Sequence, residues 1–263
     1  MSGLIISGQE VEVDGLTIVN KNDNQWAHLD AHDFGSRNGA WVRQIILHTT
    51  QGNWPQTLLP GKGPGGSAKS TVTYWQTSPI CSGSHIIIDN DGTVACLTDL
   101  ATDAAYHATV SNRWSIGIEM RQEPTNNGVY EATYDAAEIL VPALCKLFGV
   151  QFQMPKLMYG GHPFKRMLDG GPDMIGVFGH RNNTEDRGRG DPGEEIWGRM
   201  LAAGAERFDF EAREDIDVWK QRQSDLNAAG SSLTVDGQPG PKTIDALKAA
   251  GGATGIWALD HKS

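Results

Sequence analysis

Two histidines and one aspartate have the types and the spacing to hold a catalytic metal. His48 closes the apolar run Val42-Arg43-Gln44-Ile45-Ile46-Leu47-His48, and His180 closes Val177-Phe178-Gly179-His180. The C-terminal ends of strands in an α/β sheet are where active-site groups collect, and Gly179 allows close backbone approach beside His180. Asp191 follows eleven residues after His180, at the far end of a polar loop turned by Pro192-Gly193. Two imidazoles and a carboxylate make a zinc set that leaves a fourth position open for water. The same donors serve non-haem iron oxygenases, but those normally place a His and the carboxylate close in sequence, and here the shortest separation is eleven residues. The remaining histidines read more plainly. His85 suits packing behind the site, and His28, His32, His162 and His261 suit structural or surface roles. Cys81, Cys96 and Cys145 have neither disulfide-framework nor zinc-finger spacing and read as small core residues. The Asp89/Asp91 pair is far too short for a twelve-residue calcium loop and reads as a turn.

The elements that must position these groups follow from hydrophobic pattern. Leu4 to Thr17 alternates enough to pair as a strand or hairpin. Val42–His48, Ser115–Met120 and Val177–His180 are strand-like runs, and Ser84–Asp89 with Asn90–Val94 reads as strand, turn, strand. Leu59 to Gly66 is a Gly/Pro-rich loop, and Thr71–Thr77 a short helix. From Thr133 to Phe148 apolar residues recur at helical spacing, with Gly149 as C-cap and Pro142 expected to kink the helix. Arg181 to Gly193 is loop by composition, and residues 194–212 suit a helix. Strands alternating with helices over 1–205 point to an α/β fold with a mixed central sheet flanked by helices. An amphipathic segment from Ile216 to Leu226 and a short helix from Pro241 to Ala250 form a small C-terminal helical unit.

With 263 residues the chain has room for one large domain, or one domain with a small companion. Charged residues at 21% and hydrophobic ones at 39% describe a globular protein. A net charge of −10 argues against nucleic acid, and against charge-driven binding to anionic membrane, as partners. No stretch approaches the roughly 18 apolar residues of a spanning helix. The N-terminus lacks the basic region of a secretory signal, so synthesis in the cytoplasm is expected.

Five segments in order carry a resemblance. They are Ile46-Leu47-His48-Thr49-Thr50; Ser84-His85-Ile86-Ile87-Ile88-Asp89 with Asp91-Gly92; Tyr106-His107-Ala108; Asn112-Arg113-Trp114-Ser115-Ile116-Gly117-Ile118-Glu119; and Gly179-His180 through Asp191-Pro192-Gly193. Over roughly residues 37–198 the chain resembles the type-2 family of zinc N-acetylmuramoyl-L-alanine amidases, which takes in bacterial cell-wall amidases, phage endolysins and animal peptidoglycan recognition proteins. The resemblance implies one zinc per chain, held by His48, His180 and Asp191. It implies that Glu119 receives the proton of the attacking water. His107 matches a histidine beside the substrate, with Tyr106 where the family usually has Trp. Arg189 stands where these enzymes often carry Lys, as a cation that stabilises the oxyanion.

The tail adds a second resemblance. Trp219 through Asn227, then Val235-Asp236-Gly237-Gln238-Pro239-Gly240-Pro241-Lys242-Thr243, look like a small helical peptidoglycan-binding module. The expected organisation is an N-terminal extension over 1–36, a zinc amidase domain over 37–205 and a helical binding domain over 214–260. The expected activity is hydrolysis of the bond between N-acetylmuramic acid and L-alanine in peptidoglycan by a monomer, acting on the cell wall after phage or prophage release. The alternatives are a non-catalytic recognition protein and an intracellular amidase that recycles 1,6-anhydro fragments. An acidic chain gains little charge attraction to an anionic wall, so wall contact should tolerate salt.

Overall fold

In the computed structural model, which describes residues 2–23, 34–50, 66–79, 82–122, 129–155, 174–183, 191–193, 195–208, 214–236, 242, 243, 246 and 249, every residue of the run Gln44–Thr49 is buried. A strand covered on both faces is characteristic of a parallel sheet between layers. In chain order the strands are β1 (Leu4–Ile6), β2 (Gln9–Val11), β3 (Ile18–Asn20), β4 (Phe34–Ser36), β5 (Gln44–Thr49), β6 (Ile86–Ile88), β7 (Val94–Cys96), β8 (Asp103–Ala105), β9 (Ser115–Met120), β10 (Gln153–Pro155), β11 (Gly176–Gly179) and β12 (Glu206–Phe208). The helices are α1 (Gly66–Thr77), α2 (Glu131–Phe148), α3 (Glu195–Ala202) and α4 (Glu214–Ala228).

The central sheet has the order β11-β5-β9-β6-β7-β3. β11, β5, β9 and β6 run parallel, β7 turns back antiparallel on β6, and β3 lies parallel to β7 at the edge. This is the expected mixed sheet flanked by helices. The β6–β7 turn also has the expected form: Gly92 adopts φ 83° and donates its N–H to the Asp89 carbonyl.

Register divides the sheet's two faces. Ile45, Leu47, Ile116, Ile118, Ile86 and Val177 share one face and pack against α2 through Ala137, Leu140, Val141 and Leu144, and against α3 through Ile196, Trp197 and Met200. Each such side chain contributes about 1.5–3 kcal/mol on burial. On the other face α1 lays Ala68, Val72 and Trp75 over Ile87 and Ala95, covering the β6–β7 half. The β11-β5-β9 half of that face carries Phe178, Ile46, His48, Gly117 and Glu119.

α2 is continuous through Pro142 and ends at Gly149, whose φ of 65° supplies the left-handed cap. α3 is tied to α2 by Arg199, whose guanidinium meets Glu131, Asp135, Glu138 and Glu195 and lies 4.7 Å from the Tyr134 ring centre. The helix expected over 194–212 is shorter than its pattern. It ends at Ala202, Gly204 takes a φ of 100° that a helix cannot hold, and the chain returns as β12 to pair with β10.

The first residues are built into this core rather than hung from it. Leu4, Ile5 and Ile18 are buried in the main apolar cluster, β3 is a strand of the central sheet, and β4 pairs with β8. The tail is also packed. Gln223 and Asp236 exchange two hydrogen bonds, of 2.9 and 3.0 Å, and buried Leu226 joins the main apolar cluster. No helix among the described residues is long and apolar enough to cross a membrane.

Asp99 holds the turn of the β1–β2 hairpin. Its carboxylate accepts backbone N–H bonds from Ser7 at 3.0 Å, Gly8 at 2.6 Å, Ala101 at 2.9 Å and Thr102 at 3.4 Å. Burial works to raise its pKa, but these four bonds outweigh burial and hold the carboxyl below its ordinary value. A depressed carboxylate stabilises the fold above its unfolded pKa of about 3.9, and that contribution is lost as pH falls through the folded value. Asp99→Asn should therefore cost about 1–3 kcal/mol in urea unfolding at pH 7. The gap to wild type should close as the pH is taken below about 4. A gap that persists unchanged in acid would remove the carboxylate charge from the explanation.

Candidate metal centre

The parallel pairing of β5 with β9 and β11 lines up three strand ends that are far apart in sequence. His48 is the register partner of Glu119, and Gly179 is the partner of Leu47, so His180 emerges beside His48. His180 opens a 3-10 turn, His180–Asn182, that bends the chain off the sheet, and the Asn182 side chain accepts the Gly179 N–H at 2.8 Å. A Cβ on Gly179 would stand 2.9 Å from Pro192 and 3.2 Å from Trp197, so glycine there lets the Asp191-Pro192 segment close in.

The expected ligands converge. His48 Nδ1 lies 2.9 Å from His180 Nδ1, and the Asp191 carboxylate oxygens lie 3.1 Å from His180 Nδ1 and 3.9 Å from His48 Nδ1. The Thr49 N–H donates to Asp191 Oδ1 at 3.0 Å and fixes the carboxylate. All three residues are buried, and one donor atom from each lies within 4.8 Å of the others. Donors about 2.0–2.1 Å from a tetrahedral zinc lie about 3.3 Å from one another, so these residues fit that ion. Two imidazoles and a carboxylate are also the right donor chemistry.

Glu119 is half-buried and leaves β9 on the same face as His48. Paired residues on neighbouring strands are about 4.8 Å apart, so Glu119 starts from a backbone position next to that of His48. Arg189 lies outside the described residues, as do His28, His32, His162, His261 and Cys81. Cys96 and Cys145 are buried free thiols, and burial pushes the Cys96 thiol up to about 12.

His107, expected beside the substrate, is turned inward behind His48. It is 9% exposed, with Nδ1 2.9 Å from His48 Nε2 and Nε2 3.1 Å from the Ser115 hydroxyl. Asn112 Oδ1 accepts the N–H groups of His107 and Ala108 at 3.0 and 2.7 Å and pins this loop. His85 packs behind in turn, its ring centre 5.3 Å from that of His107, and accepts the Gly117 N–H at 3.0 Å. Beneath it the buried Arg37 donates to the carbonyls of Leu100, Arg113 and Ser115. Burial, the largest cause, and the Arg37 guanidinium among the lesser ones hold His85 and His107 well below the ordinary histidine value. Burial likewise lowers the Arg37 pKa to about 10, against the opposing pull of Asp103 and Asp99.

Ser115, Gly117 and Thr49 support the site without having been singled out from sequence. Only Gly117 carried a signal, since a lone glycine inside an apolar strand marks close approach by another group. A Cβ at Gly117 would sit 2.5 Å from His107 Nδ1 and 2.7 Å from Ser84 Oγ. Gly117→Ala should therefore lower stability by about 1–3 kcal/mol through overpacking, measured by equilibrium urea unfolding. A fully stable variant would mean that the ring has room to spare.

A family model described as N-acetylmuramoyl-L-alanine amidase matches residues 38–194. Solved structures that resemble the chain include a selenomethionine derivative of AmpD, at 18% identity over 76% of this chain and 98% of that one, with a TM-score of 0.43. Another is the endolysin amidase LysCS from Clostridium intestinale, at 14% identity over 72% and 97% of the two chains, with a TM-score of 0.42. A third is Drosophila peptidoglycan recognition protein SD, at 16% identity over 74% and 98%, with a TM-score of 0.48. No curated protein matches the sequence.

Proposed function

The chain belongs to the N-acetylmuramoyl-L-alanine amidase family, and from that membership we propose that it is a zinc hydrolase cleaving the amide between the lactyl group of N-acetylmuramic acid and the L-alanine of the stem peptide. The observation that carries this reading is the buried convergence of His48, His180 and Asp191 at one sheet edge. Zinc held there would supply Lewis acidity and lower the pKa of a water to about 7.

The chain's own residues supply the rest. Glu119 lies in register with His48 on the neighbouring strand, on the same face. There it takes the proton of the attacking water and returns it to the departing amine, general base and then general acid. Thr49 orients Asp191 through its backbone N–H. Arg189, two residues before Asp191 in sequence, is proposed as the cation that meets the negative charge developing on the amide oxygen. Tyr106, exposed and next in sequence to His107, lines a groove of about 300 Å³ with Asn38, Val110, Asn112 and Arg113.

We assign the wall-facing role of the 214–260 segment to the same reading. Held close to polymer by its tail, the enzyme would meet scissile bonds at raised effective concentration. The setting proposed is lysis by a phage or prophage enzyme, acting as a monomer on peptidoglycan after release.

Incubation with purified peptidoglycan should release new L-alanine amino termini and no new glycan reducing ends. Chelation should abolish turnover, and zinc should restore it. Glu119→Gln should keep stoichiometric zinc and lose at least about 100-fold in rate, the usual contribution of a positioned acid–base group. Undiminished activity in that variant would remove Glu119 from the mechanism, and turnover that survives full zinc removal would overturn the metal reading.

A further inference from the structure

The polar contacts behind His48 form a chain with one direction. The Ser115 hydroxyl lies 2.7 Å from the Ser111 carbonyl oxygen. Two oxygens that close repel unless a proton lies between them, so the single hydroxyl proton of Ser115 is committed there. At the 3.1 Å contact with His107 Nε2, Ser115 Oγ can then only accept. On a neutral His107 ring the single proton then sits on Nε2, which leaves Nδ1 as a bare lone pair. That lone pair faces His48 Nε2 at 2.9 Å, and only an N–H on His48 satisfies it. With the proton of His48 on Nε2, the lone pair of Nδ1 points toward His180 and Asp191.

We propose that His107 and Ser115 are positioning residues that lock His48 in its Nε2–H tautomer and present Nδ1 to the metal, a role that rests on the zinc reading given above. The opposite tautomer would set two N–H groups, or two lone pairs, head-on at 2.9 Å inside a buried site. Partners of this kind behind metal-bound histidines fix tautomer and ring orientation, and losing one weakens metal binding by about 10–100-fold. The sequence is shaped to admit the chain. Glycine at 117 is the vacancy that the His107 ring fills, and the Asn112 side chain holds the loop that delivers the ring. The chain ends on a backbone carbonyl, which cannot donate, so its direction is fixed.

The test uses full-length, metal-free protein with ¹⁵N-labelled histidine, in which two-bond ¹H–¹⁵N spectra read the tautomer of His48. Wild type should show the Nε2–H form. Ser115→Ala should move His48 toward a tautomer mixture although Ser115 does not touch that ring, a response that a merely structural role would not produce. Zinc affinity, measured by competition with a chromophoric chelator, should fall about 10–100-fold in His107→Ala, and in the same direction but less in Ser115→Ala. His107→Gln should stay near wild type in both readouts, because its amide oxygen can accept from His48 while its NH₂ donates to Ser115. If His107→Ala fails to fold, Ser115→Ala and His107→Gln decide the matter. Unchanged His48 tautomer and zinc affinity in folded Ser115→Ala and His107→Ala overturn the proposal. A wild-type protein that takes up no zinc, but whose His48 tautomer responds to Ser115→Ala, upholds the hydrogen-bond chain and overturns the metal reading instead.

Discussion

The parallel pairing of β5 with β9 on one side and β11 on the other is the constraint on which the rest of the molecule depends. Parallel strands put all their C-terminal ends at one edge. Residues 48, 119 and 180 thereby become neighbours, and residue-for-residue register puts His48 and Glu119 on the same face. A slip of one residue in β9 would send Glu119 into the apolar layer under α2 and bring Ile118 to the site. Register is protected because the opposite face is dense with Ile45, Leu47, Ile116 and Ile118. The chemistry on one face is thus specified by the hydrophobic packing of the other.

The two faces are not covered in the same way. Among the described residues, α2 and α3 pack on the apolar face together with Leu4 and Ile5, while α1 covers the β6–β7 half of the other. Above β11, β5 and β9, beside the apolar Ile46, Ala108, Met174 and Phe178, stand buried polar side chains, and a buried polar group without a partner costs about 1–3 kcal/mol. The structure meets this cost with a layer of interlocking contacts: His48 to His107, His107 to Ser115, Gly117 to His85, and Arg37 onto three carbonyls. A polar network satisfied in this way is rigid, and rigidity is what a metal site needs from its surroundings.

How legible this was in the sequence depended on how local the cause was. His48 and His180 ended apolar runs, and those runs are strands, so their places at strand ends could be read from pattern, while their grouping with Asp191 as a ligand set rested on the resemblance. α2 announced itself by its periodic buried face and by Gly149, which takes the left-handed cap. Three-residue strands such as β10 and β12 are too short to carry a pattern, and β12 was hidden in what looked like a continuing helix. There the deciding feature was a positive φ at Gly204, and glycine by itself does not say which φ it takes. The inward turn of the His107 ring was harder still. It depends on a missing Cβ on another strand and on a serine hydroxyl committed elsewhere, neither of which is visible from residues 106–108. The first 36 residues gave a hairpin signal but no hint that β3 would extend the central sheet, because that pairing is with β7, far along the chain.

The integration of both ends changes what the middle can tolerate. Leu4, Ile5 and Ile18 from the start and Leu226 from the tail share one apolar cluster with α2, α3 and the sheet. Loosening either end therefore exposes the layer that holds β5, β9 and β11 in register. The Asp99 carboxylate, gripping four backbone N–H groups of the β1–β2 turn and its own loop, helps hold that first segment in place although it touches no proposed ligand. The net charge of −10 bears on the same point. Self-repulsion in an acidic chain works against compactness, so the charged contacts that remain are used where elements must be joined. Arg199 meets four carboxylates at the α2–α3 seam, on the outer side of the helices that fix the register of the strands beneath. Single exposed pairs contribute little, but one guanidinium shared among four carboxylates also relieves the repulsion they would otherwise exert on one another. The geometry at residues 48, 180 and 191 is in this sense a property of the whole sheet and its covering helices, and the hydrogen-bond chain behind His48 is its last and most local adjustment.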